Sequence, residues 1–202
     1  MNRTIIAAFA LTFILIAGCT KDSPGNGTAS VTQDIPNQVA IDETSRLASL
    51  IGQQTATPAD FNNLAAMLSD NEHALDELGE IVTLVKYGEY EHVSHAIAFF
   101  DGYLRTGSEL LCPAHALSHY YVFKKHGEDD LAEEALEEAE EQMPEWIPKA
   151  REYDQKYPSG QNFEEVVRRI SADIENIESG NTTASDDEIS FLTDEASICV
   201  EA

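Results

Sequence analysis

The chain has 202 residues and carries 12 Lys+Arg against 37 Asp+Glu, a formal charge of −25 at pH 7. So acidic a surface repels phosphate backbones and anionic headgroups, which argues against nucleic acid as a partner and leaves basic proteins, cationic peptides and divalent cations. The length suits one domain with a real core.

Met1 to Gly18 holds a single charge at Arg3, an apolar stretch from Ile5 to Ile16, and then Ile16-Ala17-Gly18-Cys19. Charge, apolar run and small residues in that order are the features of an exported signal. The apolar stretch is 12 residues long; as a helix it reaches about 18 Å, against a bilayer core of roughly 30 Å, and is too short to span. Ile16-Ala17-Gly18-Cys19 resembles the lipobox of bacterial lipoproteins. The resemblance implies cleavage before Cys19 and diacylglycerol on its sulfur, with each buried methylene worth about 0.8 kcal/mol of anchoring. Because residues 1–18 lose only Arg3 among charged side chains, the mature chain would carry −26. In that family an aspartate after the lipidated cysteine retains the protein at the inner membrane. Thr20 stands there instead, which implies a Gram-negative outer membrane with the body facing the periplasm.

The expected organisation is a signal peptide over 1–18, a flexible tether over 19–39, a helical domain over 40–179 and an acidic, largely disordered tail over 180–202. The tether is rich in Ser, Thr, Gly, Asn and Pro and has a reach of roughly 25 Å. The tail contains one apolar cluster, Ile189, Phe191 and Leu192, that reads as a short docking segment.

Period-two runs of β-branched residues are nearly absent, so the fold class is all-α: antiparallel helix hairpins, stacked as an array or gathered into a compact bundle. Helices are expected over 42–54, 58–69, 71–87, 89–106, 113–126, 128–143, 146–157 and 163–178. Thr57 before Pro58 is a start signal, and Asn162 with Glu165 three residues on has the form of a capping box. Gly88, Gly127 and Gly160 fall between helices and divide the last six into three hairpins. Phe123, Gly127, Ala132, Leu136, Ala139 and Pro144 follow the spacing of a tetratricopeptide repeat, with an aromatic, a turn glycine, two alanines at the helix contact and an exit proline. The middle hairpin thus resembles that family, although His119 and Tyr120 depart from its leucine and small residue. The resemblance implies a protein-binding array.

Three groups of residues bear on function. Cys112, His115, His119 and His126 line one helical face, and Glu89, His92 and His95 precede them at spacing three. Packed antiparallel, His92, His95, His115 and His119 are the set suited to zinc or copper; the alternative is partly buried rings bonded to Glu89, Glu91, Tyr120 or Tyr121. Cys112 and Cys199 are the cysteines other than Cys19, and they either form a disulfide or leave Cys112 as a small buried side chain, since a thiolate ligand and a disulfide exclude one another. The run Glu128–Glu145 holds ten acidic residues, and Glu133, Glu134, Glu137, Glu138 and Glu141 form either a docking face for a basic partner or a solvated surface. No nucleophile elbow, phosphate-binding glycine loop or calcium loop is present. The reading is a non-enzymatic, membrane-anchored adaptor for another envelope protein, with a metal-binding envelope protein as the alternative.

Overall fold

Apolar residues recurring every three to four positions fold the described residues into eight α-helices, with one pair of two-residue strands. The computed structural model describes residues 35–158, 160, 162–195 and 198–201; the signal-like segment, Cys19 and most of the tether lie outside them. In chain order these are α1 (Ile35–Gly52), a 3-10 turn at Pro58–Phe61, α2 (Asn62–Met67), α3 (Glu72–Tyr87) and α4 (Tyr90–Thr106). There follow β1 (Leu110–Leu111), α5 (Pro113–His126), α6 (Asp129–Lys156), α7 (Phe163–Glu178), α8 (Asp186–Ser190), a π turn at Phe191–Glu195 and β2 (Val200–Glu201). Among the described residues no helix is long and apolar enough to cross a membrane.

Local chemistry accounts for many of the boundaries. Thr57 donates its backbone N–H and its hydroxyl to Asp60 Oδ2, at 2.8 and 2.6 Å, which starts the 3-10 turn with Pro58 in the first position. Asn71 Oδ1 accepts the Ala74 N–H at 3.1 Å and opens α3. At the other end of α3, Gly88 takes φ +74°, and Gly127 takes φ +75° after α5. In that conformation the next N–H turns back to a carbonyl of the last helical turn, from Glu89 to Leu84 and from Glu128 to Phe123. Asn162 does not act as a side-chain cap for α7; Glu165 is held instead by Arg168, three residues along the exposed face.

The core is organised around α5. Every residue from Pro113 to Phe123 is buried, because α6, α7 and the π turn all pack on it, while α1 and α3 pack on α4. The hairpin α5–α6 closes on alanines: Ala132, Ala135 and Ala139 are at most 1% exposed. Side chains that small let two helix axes approach closely. Phe123 and Trp146, both wholly buried, fill the space on either side.

Two expectations are corrected here. The helices expected over 128–143 and 146–157 are one helix of 28 residues, with Pro144 and Pro148 inside it. An interior proline costs about 3 kcal/mol by removing an amide hydrogen bond. Opposing that cost, Met143, Trp146 and Ala150 lie on one buried stripe, and loss of a buried aromatic alone costs about 3 to 5 kcal/mol. Pro144 is therefore not an exit residue, and the middle hairpin departs from the tetratricopeptide pattern at that point. The second correction concerns residues 180–202. Instead of a largely disordered tail, α8 and the π turn bring Phe191, Leu192 and Thr193 into the core, and β2 pairs antiparallel with β1 through Leu110–Glu201 and Leu111–Val200. Cys199 is joined to Cys112 by a disulfide, and Trp146 Nε1 donates to the Ile198 carbonyl at 2.5 Å. The disulfide closes a separation of 87 residues, worth about 4 to 5 kcal/mol in the chain-entropy account. A polar composition is offset by three apolar anchors, Phe191, Leu192 and Val200, and one covalent one.

Replacing Ala139 by Leu should force α5 and α6 apart and destabilise the domain by about 1 to 3 kcal/mol through overpacking. A thermal melt measures this, and an unchanged midpoint would show that the close contact is absent.

Candidate functional site

The site is built from the second faces of helices whose first faces make the core. On α3 the buried stripe is Ala74, Leu78, Ile81 and Val85, and beside it, at the same helical spacing, run His73, Asp76, Glu77 and Glu80. On α6 the alanine stripe packs on α5, and next to it run Glu134, Glu137, Glu138, Glu141 and Gln142. Helix α5 contributes His115 and His119, and α4 contributes an apolar wall of Ala96, Phe99, Phe100 and Tyr103. Together with β1 and Glu109 these line a cavity of about 500 Å³ that is open to solvent on one side. Nine of its lining residues are carboxylates, three are histidines, and none is Lys or Arg.

At the inner end Gln142 acts as a bracket. Its Oε1 accepts the Cys112 N–H and its Nε2 donates to Glu138 Oε1, each at 2.6 Å. This ties the carboxylate on α6 to the start of α5, next to the disulfide. His119 Nδ1 lies 3.3 Å from Glu80 Oε2, and at the rim His73 Nε2 lies 3.3 Å from Glu109 Oε1. The His115 and His119 rings sit 4.2 Å apart, and the edge of Phe99 meets His115 at 4.5 Å. His115 is 7% exposed and His119 6%. Both nitrogens of His115 and Nε2 of His119 lack a hydrogen-bond partner. Buried polar atoms are nearly always paired, so three such nitrogens on one wall are a notable expense in free energy.

Burial sets the protonation of this cluster. Removal from water raises the carboxyl groups of Glu77 and Glu80 to about 7 and of Glu138 to about 8, and the neighbouring carboxylates push in the same direction. The same desolvation lowers His119 to about 4 and His115 well below its ordinary value. The contact between His119 and Glu80 has the distance of an ion pair. Both shifts nevertheless favour the neutral forms, so it is a hydrogen bond between a neutral ring and a carboxyl group that titrates near neutrality. Desolvation outweighs pairing here, because three partly buried carboxyl groups crowded by neighbouring carboxylates have no cation among them.

The expected site residues are only partly gathered. His115 and His119 line the cavity, as do Glu134, Glu137, Glu138 and Glu141; Glu133 faces solvent outside it. His92 lies across from His119, with ring centres 6.3 Å apart, and His95 lies 6.2 Å from His115, but neither lines the cavity. The four rings form a file rather than a shell. Among the described residues no three His, Cys, Asp or Glu side chains are placed to hold a metal ion, and Cys112 is engaged in the disulfide. The histidine set proposed for zinc or copper is thus not a ligand set in this geometry. His126 stacks on Tyr87 at 4.1 Å and meets Glu89 at 2.6 Å. Sequence reasoning missed Glu77, Glu80 and Gln142. The signal was the 73, 76/77, 80 stripe on α3, whose significance depends on which helix it faces.

Stability should carry the mark of the cluster. The carboxyl groups of Glu77, Glu80 and Glu138 sit at about 7 to 8 when folded, against an ordinary 4.5. The folded state therefore holds protons that the unfolded state releases, and the stability this provides is lost as pH rises through 7 to 8. His92 and His119, lowered to about 4 from 6.5, act in the opposite sense and only below 6.5. The melting temperature should accordingly fall between about pH 6.5 and 8.5, and Glu138→Gln should flatten that fall and raise the midpoint at the alkaline end. A pH series of thermal melts checks both statements. Comparison of the chain with protein-family models, with curated proteins and with solved structures finds no match.

Proposed function

We propose that the chain is a lipid-anchored, non-enzymatic adaptor of the bacterial envelope, tethered at the outer membrane through Cys19 and capturing a basic partner protein at its acid-lined cavity. The observation that carries this reading is the composition of the cavity, which has nine carboxylates and no Lys or Arg. A cationic group entering it would meet a predominantly acidic mouth and a less polar interior, which raises both the encounter rate and the strength of each contact.

Five acids of the run on α6 and two histidines of the stripe on α5 line this one cavity. Glu134, Glu137 and Glu141 form its exposed edge, while Glu138 and the two histidines lie further in. Catalysis has less support. Ser118, the hydroxyl next to His119 in sequence, is buried and donates to the His115 carbonyl at 2.7 Å, which leaves it turned into its own helix. The His119–Glu80 pair faces no nucleophile.

Two measurements test the reading. Cys19→Ser should move the protein from the membrane fraction to the soluble or unprocessed pool; unchanged membrane association and processing would remove the anchor. Substituting Glu134, Glu137 and Glu141 with Gln keeps shape and helix propensity while removing three charges. Partner capture should then be lost or become less sensitive to salt, because the Debye length of about 10 Å at 0.1 M and about 3 Å at 1 M governs such steering. An identical partner with an identical salt profile would leave the acidic edge as a solvated face.

A further inference from the structure

The chemistry of the cavity says more about its ligand than that it is positive. At about 500 Å³ the space is far larger than a bare ion requires, and it falls within the range of small-molecule sites. No three side chains among the described residues are arranged for a metal ion. The acidic lining by itself would prove little. What points to a ligand is the pair of histidines on α5: both are more than nine-tenths buried, both line the cavity, and three of their four ring nitrogens have no partner. The walls are also of two kinds. Carboxylates from α3 and α6 supply acceptors, whereas Phe99, Phe100 and Tyr103 of α4 supply apolar and aromatic faces. Such a lining matches a molecule with several cationic nitrogens joined by methylene segments, the nitrogens taking oxygen or imidazole acceptors and the methylenes lying on the rings.

We propose that this cavity is a receptor for a linear aliphatic polyamine, with one ammonium group held among Glu77, Glu80, Glu138 and the imidazoles of His115 and His119, and the rest of the chain running along α4 toward Glu109 and Glu141. The proposal rests on reading the cavity as a cation site, but not on the cation belonging to a protein. It also explains why so many acids are brought together at a cost. With no countercharge the partly buried, mutually crowded carboxyl groups retain protons; an entering ammonium lets them ionise, and those protons pass to the buffer. The titratable groups facing that position are His73, Asp76, Glu77 and Glu80 of α3, His92 and His95 of α4 behind the two α5 rings, Glu109 ahead of β1, His115 and His119 of α5, and Glu134 and Glu138 of α6. Binding should therefore be accompanied by proton release at neutral pH.

The test is titration calorimetry of the full-length protein in detergent with spermine, in two buffers of different protonation enthalpy. The expected result is saturable binding at one site per chain, with an apparent enthalpy that changes between buffers in the sense of proton release. Affinity should fall by about tenfold or more in Glu77→Gln/Glu138→Gln, as for loss of charge-assisted contacts. That variant removes two desolvated carboxyls and should fold at least as well as wild type, which circular dichroism verifies. Phe99→Ala provides a second variant at which spermine should weaken while magnesium uptake does not change. Magnesium chloride and a lysine-rich peptide are run alongside. Non-saturating uptake of spermine, equal binding by the glutamine variant, or equal competition by magnesium at matched ionic strength would overturn the proposal and identify a diffuse counterion effect. If the peptide binds and spermine does not, the polyamine assignment fails while the adaptor reading stands; if neither binds, both fail.

Discussion

The constraint on which the rest of the structure depends is the packing of partly buried acids against buried imidazoles without a cation. Glu77, Glu80 and Glu138 each have a neighbouring carboxylate that opposes their ionisation, and they lie beside two histidines that burial holds neutral. A chain selected only for stability would place apolar side chains there, since a desolvated carboxyl contributes nothing that a methylene would not contribute better. The cluster persists because the surrounding packing over-determines it. Ala132, Ala135 and Ala139 hold α6 against α5, and α3 is held by its own apolar stripe. The acids flanking those stripes have no freedom to turn away together.

The C-terminal segment completes this arrangement from the far side. Residues 198–201 run back to β1, where the disulfide, the β1–β2 pairing and the Trp146 hydrogen bond meet within a few residues of Gln142. Gln142 in turn holds Glu138. The position of the partly buried Glu138 carboxyl is thus linked to a strap more than fifty positions away in sequence, through one amide side chain. The same local order keeps Cys112 at the start of α5, so that His115 and His119 present their rings one and two turns into the helix. Covalent closure acts here on the geometry of the cavity as well as on the entropy of the unfolded chain.

Much of the fold is legible in the sequence. The apolar spacing of α3 to α5 and the glycines at 88 and 127 specify helices and their ends locally, because both the 3.6-residue period and positive φ are properties of a few neighbouring residues. The break expected at Pro144 did not occur, because proline's penalty is local whereas the burial of Trp146 that opposes it depends on α5 and on residue 198. The order of the C-terminal segment is hidden from the sequence for a similar reason. Its composition is polar, and the three apolar residues and one cysteine that order it draw their stabilisation from partners far away in the chain.

The residues of the site were present in the sequence as separate patterns: histidines at 115 and 119, an acidic run from 128 to 145, and an unremarked acidic stripe on α3. Helical spacing by itself determined that each pattern occupied one face of one helix. Only tertiary packing decided that these faces converge, that His92 and His95 fall outside the convergence while Glu77 and Glu80 fall within it, and that no Lys or Arg enters. The physical reason is that a side chain's direction follows from its own helix, whereas its electrostatic environment, and with it whether a glutamate is a solvated charge or a protonated receptor group, is set by what the other helices exclude from around it.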